Sequence, residues 1–297
     1  MNWIFLAIIP PIIWAFNNII DKIFMSRYVK NPTSYLTIIL MSGVVSLPIL
    51  FFLVRPITVS KWSLIAIPIG IVQGLGFLFY NKAIVMEEVS KVVPVLTMNP
   101  IFTLPLAFIF LGEKLRLVNY LGILIMLTAV ILITYKKSES KKRFLSKAIL
   151  LTFITTLILS IVNILTKSLL VHVDNWSLVF WMSIGFLSGG FILLVSGKNR
   201  TNLKREITKK KIKPIIILRL ASTTFYLTGL LIFYKALSAG SVSIITSLGS
   251  IQPFFVLLYA TILTKLSILE EEIDKHTISL KFLSIVMIII GTYLTVL

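Results

Sequence analysis

The sequence predicts an all-α polytopic membrane protein whose ten transmembrane helices form two inverted five-helix repeats. Hydrophobic residues make up 57% of its 297 positions, and the mean hydropathy of +0.99 exceeds what the core of a soluble protein requires. Apolar windows of about 19–24 residues, long enough to cross a bilayer as helices, recur along the chain. Several short motifs of the first half reappear in the same order in the second half.

The apolar windows are predicted to be helices because lipid offers no hydrogen-bond partner to an exposed backbone. The first window lacks a basic leader and a cleavage site, so we expect a retained span and not a signal peptide. The ten windows lie near 3–24, 34–54, 62–85, 90–111, 117–135, 147–170, 176–197, 214–237, 242–264 and 278–296.

The internal similarity is clearest in the third and eighth windows. "GFLFYNKAI" (76–84) aligns with "GLLIFYKAL" (229–237) at an offset of 153 positions. The same offset pairs Pro100 with Pro253, while "NIIDKIF" (18–24) aligns with "NILTKSL" (163–169). We therefore predict two copies of one five-helix unit.

The predicted boundaries are a first repeat over 1–135, a basic linker over 136–146 and a second repeat over 147–297. Because five is odd, the second repeat enters the membrane from the opposite side. Inverted repeats of this kind place a binding site between them near the midplane, and rocking exposes that site to each side in turn.

Composition excludes several classes of site. The chain has no Cys and two His, so we predict no disulfide, no thiolate nucleophile and no metal site. It has no nucleotide-binding or hydrolase motif, so we predict no cofactor and no catalytic residues. The net charge of +18 comes from Lys and Arg that flank the spans, which indicates anionic lipid as a partner and not nucleic acid.

Two apolar windows contain an amide followed by proline, Asn99-Pro100 and Gln252-Pro253, at positions that the offset pairs. Proline removes a backbone N–H and kinks a helix. We predict that Pro100 and Pro253 kink their spans and that the amides form polar spots at mid-depth. The alternative is a kink that only shapes helix packing.

These residues carry a resemblance to a known family. Pro100 is followed by "IFTLPLAFIFL" and then by Gly112-Glu113-Lys114-Leu115, and Trp14 precedes Lys22 by eight residues. The chain resembles the ten-helix EamA-type permeases of the drug/metabolite transporter superfamily over essentially its whole length, although the second half ends "LTKLSILEEE" without Gly-Glu. The resemblance implies a multi-pass plasma-membrane protein, not an enzyme, that works as a secondary transporter and often exports amino acids or other small metabolites.

Polar residues inside the windows are the candidates for the binding site. On the first helix they recur every three or four residues and so share one face. We predict that such residues line a cavity for a small-molecule substrate; the alternative is hydrogen bonding between helices. The candidates are Trp14, Asn17, Asn18, Gln73, Tyr80, Asn99, Asn163, Tyr226 and Gln252.

Charged residues inside a membrane are costly and therefore candidates for function. Asp21 could take up a proton and couple transport to the proton gradient, or it could lie in an ion pair. Lys22 and Lys167, which the repeat pairs, could carry charge or extend to the interface. Glu113 is expected to be solvated, and Arg219 to be a boundary charge that reaches the interface.

Three functions remain open from the sequence: transport of a small solute, movement of a lipid-linked molecule between leaflets, and an intramembrane enzyme, which ranks last for want of an acid–base or metal cluster.

Most Lys and Arg lie in the loops between helices 1–2, 3–4, 5–6, 7–8 and 9–10. The positive-inside rule puts that side in the cytoplasm and both termini outside, whereas the resemblance implies the reverse. Monomer and homodimer are both compatible with the sequence.

Overall fold

Helices make up every regular element of the described part of this computed structural model. It describes residues 3–53, 56–87, 89–134, 146–207, 209–266, 283–284, 286–287, 289–291 and 293–294. The elements in chain order are α1 Trp3–Arg27, α2 Pro32–Met41, α3 Gly43–Leu53, α4 Lys61–Met86, α5 Val89–Leu96, α6 Pro100–Leu111, α7 Leu117–Thr134, α8 Lys147–Leu169, α9 Asn175–Val195, α10 Gly197–Glu206, α11 Lys209–Ala239, α12 Val242–Leu248, a 3₁₀ turn Gly249–Ile251 and α13 Gln252–Lys265.

Eight helical segments of the described chain are long and apolar enough to cross a membrane, and Leu117–Ala129 is a shorter apolar helix. The prediction of an all-α polytopic membrane protein is confirmed. The linker at 136–146 and the window at 278–296 fall largely outside the described residues. The count of ten spans and the repeat boundaries therefore stay predictions.

The two amide–proline pairs lie at breaks in their spans. The helix stops after Leu96 and resumes at Pro100, where proline costs nothing because the first turn of a helix has no partner for its N–H groups. Likewise the 3₁₀ turn separates α12 from α13, and Pro253 is the second residue of α13. The kinks expected from the sequence are thus breaks in the α-helical hydrogen-bond pattern.

A hydroxyl group satisfies a carbonyl that the first break frees. Ser250 donates to the Thr97 carbonyl at 3.0 Å, whereas the hydroxyl of Thr156, which lies 3.2 Å from the Val95 carbonyl, has a nearer acceptor in the Thr152 carbonyl at 2.9 Å. A carbonyl without a donor inside a membrane costs several kcal/mol. The break is therefore stabilised by a side chain from the 3₁₀ turn of the other discontinuous span.

Glycines bring α4 and α9 into backbone contact. A Cβ added at Gly70 would lie 2.2 Å from the Met182 carbonyl oxygen, and one added at Gly185 would lie 2.0 Å from the Ile67 carbonyl oxygen. No larger residue fits at that separation. These two helices therefore pack as closely as the small-residue spacing in the sequence indicates.

Contacts between loops show which of them lie at the same end of the helices. Glu206, at the end of α10, accepts the backbone N–H groups of Lys30 (3.4 Å) and Asn31 (3.1 Å) in the α1–α2 loop. On the other side, Thr58 donates to the Asp174 carboxylate at 2.8 Å. The order of the helices along the chain places the same loops together, because successive spanning helices run in opposite directions.

Asp174 caps the N-terminus of α9 by accepting the Ser177 N–H at 2.9 Å. Partial burial opposes its charge, but hydrogen bonds from Ser177, Thr58 and Trp176 outweigh that effect and hold the pKa of this loop carboxyl below its usual range.

Glu113 is a helix cap, and the expectation that it would be solvated is wrong. Gly112 ends α6 in the left-handed conformation (φ 65°) and turns the chain toward the start of α12. There the Glu113 carboxylate accepts the N–H groups of Val242 (2.8 Å) and Ser243 (3.1 Å) and the hydroxyls of Ser241 and Ser243 (both 2.7 Å). A carboxylate at a helix N-terminus is stabilised by the helix dipole, so this turn joins the two halves of the chain.

Candidate functional site

A cavity of about 200 Å³ lies among the spans and has a mixed polar and aromatic wall. Every side chain that the sequence singles out as a cavity candidate borders it. They are Trp14, Asn17, Asn18, Gln73, Tyr80, Asn99, Asn163, Tyr226 and Gln252. Their contact with a substrate stays a prediction.

Asn18 joins three helices at the cavity wall. Its Nδ2 donates to the Tyr80 hydroxyl of α4 at 2.5 Å, and its Oδ1 accepts from Nε2 of Gln252 in α13 at 2.6 Å. All three side chains are buried. Their amide and phenol groups therefore form one network, which fixes α1 against α4 and against the second discontinuous span.

Gln73 and Tyr226, which the offset pairs, contact each other near the middle of α4 and of the α11 span. Gln73 Nε2 lies 3.4 Å from the Tyr226 hydroxyl. Trp14 stands beside them, with its ring centroid 6.5 Å from that of Tyr226. Trp14 packs on Gly229, where a Cβ would lie 2.5 Å from its indole nitrogen, so glycine is required for this ring to reach the cavity.

Asn99 and Asn163 differ in their hydrogen bonds to the rest of the protein. The Asn99 Oδ1 accepts the hydroxyls of Ser160 and Thr103, both at 2.5 Å. Asn163 is half-buried and borders the cavity without a hydrogen bond to another described residue. Its amide is therefore available to a bound molecule.

Asp21 lies on the cavity wall in a cluster with Tyr35 and Arg219. The Tyr35 hydroxyl donates to the Asp21 carboxylate, and Arg219 Nη1 stands 4.0 Å from Asp21 Oδ1. Arg219 also donates from Nε to the Thr223 hydroxyl at 3.2 Å. It is 8% exposed, so the expectation that it would reach the interface is wrong.

Lys22 and Lys167 are not on the cavity wall. The Lys22 ammonium donates to the carbonyls of Ile84 (2.8 Å) and Glu87 (2.9 Å) at the end of α4. The Lys167 ammonium donates to the carbonyls of Leu237 (2.5 Å) and Gly240 (2.7 Å) at the end of α11. A cation suits the negative end of a helix dipole, and the predicted repeat pairs both the lysines and the ends that they cap.

Sequence reasoning missed most of the α11 face and the aromatic wall. On α11 the cavity residues recur every three or four positions, a signal that was present but was applied only to α1 and α8. The aromatic residues gave no such signal, because phenylalanine is ordinary in any span. The missed residues include Ser42, Ser46, Phe77, Ser183, Phe186, Arg219, Ser222, Thr223 and Phe233.

Comparisons with known proteins agree with this architecture. A model of the EamA-like transporter family matches residues 1–135. A solved structure described as "Crystal structure of protein" is similar over 99% of this chain and 98% of its own, with a TM-score of 0.70 and 13% identity, which shows the fold alone. No curated protein matches the sequence significantly.

Proposed function

Because a model of the EamA-like transporter family matches residues 1–135, we propose that this chain is a secondary transporter of a small metabolite, such as an amino acid. It binds its substrate in the central cavity and carries it across the plasma membrane, most simply outward, by alternating access. The protein works within the lipid bilayer, and a proton gradient is the candidate driving force for transport. The family match and the apolar helices support the coarser statement that the chain is a multi-pass membrane transporter of the drug/metabolite type.

The observation that carries the proposal is the position of the cavity's polar groups. Gln73 and Tyr226 meet near the middle of their spans, and Asn18, Asn163 and Asn99 approach from other helices. Polar groups inside a membrane are retained where they line a pathway. Discontinuous helices at that depth are typical of transporters that alternate between two sides.

The test is solute flux in proteoliposomes that contain the purified protein. We expect counterflow of a labelled small metabolite. An excess of the same metabolite without the label should compete with it for transport. A protein with Gln73→Leu and Tyr226→Phe should lose this flux, whereas Lys235→Gln, an exposed residue of α11 that does not border the cavity, should keep it. Absence of flux for every class of metabolite would contradict the proposal.

The same vesicles test the alternative functions. Movement of a labelled lipid-linked sugar between leaflets, without solute flux, would favour a flippase. Conversion of a solute to a product in detergent would favour an enzyme.

A further inference from the structure

Arg219 has more hydrogen-bond donors than the protein uses. An arginine guanidinium carries several N–H groups in a planar fork. Within the described chain, Nε–H alone has an acceptor, the Thr223 hydroxyl, while Nη1 is buried without a hydrogen-bond partner. This cation lies inside the span Ile212–Ala239 and borders the cavity.

Asp21 neutralises Arg219 without occupying the fork. The separation of 4.0 Å is longer than the roughly 2.7–2.9 Å of a charge-assisted hydrogen bond, and the Asp21 carboxylate already accepts from Tyr35. A buried charge that lacks hydrogen bonds is strongly penalised. The guanidinium therefore stands beside one carboxylate and keeps donors for another.

The rest of the wall fits a small molecule with a single negative group. Asp21 and Arg219 are the charged side chains among the described residues that border the cavity, so their charges balance and the wall has no surplus positive charge to compensate the two charges of a phosphate dianion. Tyr226 lies two turns from Arg219 on α11, and Phe186 stacks on its ring with centroids 6.1 Å apart. Those rings can cover the apolar remainder of a molecule whose carboxylate reaches Arg219.

We propose that Arg219 binds a carboxylate of the transported molecule, and that this carboxylate competes with Asp21 for the guanidinium. The proposal rests on the transport role above and names the substrate class of the same cavity. Bidentate binding between arginine and a carboxylate supplies both geometry and energy. Binding of the substrate thus moves the Arg219 guanidinium from its ion pair with Asp21 to an ion pair with the carboxylate of the substrate.

The test compares small carboxylic acids, with and without an amino group, with their primary amides on the full-length protein in lipid nanodiscs. Thermal shift identifies binders and calorimetry measures their affinity. We expect the best acid to bind about tenfold or more tightly than its amide, as one charge-assisted pair implies. Arg219→Gln should reduce that ratio to about one, and Lys235→Gln should leave it unchanged.

Asp21→Asn provides a second measurement if Arg219→Gln does not fold. It should strengthen acid binding about tenfold, because the competitor is removed, and should leave amide binding unchanged. The proposal is overturned if no acid binds better than its amide, if Arg219→Gln lowers only the melting temperature and keeps the ratio, or if Asp21→Asn does not favour acids. Flux of neutral or cationic solutes without acid preference would leave the transport role standing and remove only Arg219's role. Absence of all flux would remove the transport role itself.

Discussion

Asn18 and Asn163 occupy paired positions in the predicted repeat but have different surroundings. Asn18 bonds to Tyr80 and Gln252. The offset pairs Tyr80 with Phe233, which has no hydroxyl to accept a hydrogen bond, and Asn163 has no hydrogen bond within the described chain. One amide therefore holds helices together, and the other remains available to a ligand.

Substitution by leucine should separate these two roles. Asn18→Leu leaves buried partners unpaired, which costs about 1–3 kcal/mol, so we expect a lower melting temperature. Asn163→Leu should retain the wild-type melting temperature and lose most solute flux. Both quantities can be measured on the same preparations, and normal flux through Asn163→Leu would exclude its amide from the pathway.

Asp21 is the candidate for proton coupling. The groups that face it are Tyr35 and Arg219, with Tyr80 nearby. Asp21→Asn cannot exchange a proton, so we expect it to lose the response of flux to an imposed pH gradient and to keep solute exchange. Asp174→Asn, in a loop, is the matched control and should keep both. A full response to the gradient in Asp21→Asn would leave a uniporter or an exchanger.

The position of Arg219 within its span differs from the one that the sequence predicts. The hydropathy window begins near 214, which puts Arg219 close to a membrane surface. In the structure α11 begins at Lys209, and the arginine turns inward beside Asp21. Which way a long side chain extends depends on its neighbours in space, and the chain order does not give these.

The discontinuous spans were only partly predictable at the scale of the element. Asn99-Pro100 and Gln252-Pro253 mark the correct places, because proline excludes a continuous helix there. Whether the helix bends or breaks depends on donors for the freed carbonyls. For the Thr97 carbonyl that donor is Ser250, which belongs to another element, so the sequence predicts the position of the defect but not its form.

The contact between α4 and α9 yields a prediction with an internal control. Gly185→Ala should destabilise the protein or prevent folding, because its Cβ would overlap the Ile67 carbonyl. Gly189→Ala, on the same helix, meets no atom closer than 3.5 Å and should be neutral or gain up to about 1 kcal/mol in helix propensity. Thermal unfolding in nanodiscs measures both, and equal tolerance of the two alanines would mean that α4 and α9 are farther apart.

The whole molecule shows paired loops on each side, but the direction of insertion has to be measured. Glu206 holds the α1–α2 loop against the end of α10, on the side that carries most of the 29 Lys and Arg. The positive-inside rule puts this side in the cytoplasm, so we expect a C-terminal phosphatase fusion to be active and a C-terminal fluorescent-protein fusion to be dark. Fluorescence without phosphatase activity would reverse the orientation, as the family resemblance implies.

The hydrogen bond between Ser250 and Thr97 joins residues that the offset pairs with each other. A residue meets its own equivalent only near a two-fold axis, so we expect the two breaks to cross where the halves move least. A short thiol cross-linker between Thr97→Cys and Ser250→Cys, in a chain without native cysteine, should leave flux intact. The same linker between Ser42→Cys and Thr223→Cys, whose hydroxyls lie 3.1 Å apart, should stop it, and loss of flux with both would refute this view. The crossing is then the pivot of the motion, and the parts of the helices that lie farther from it undergo the larger displacements.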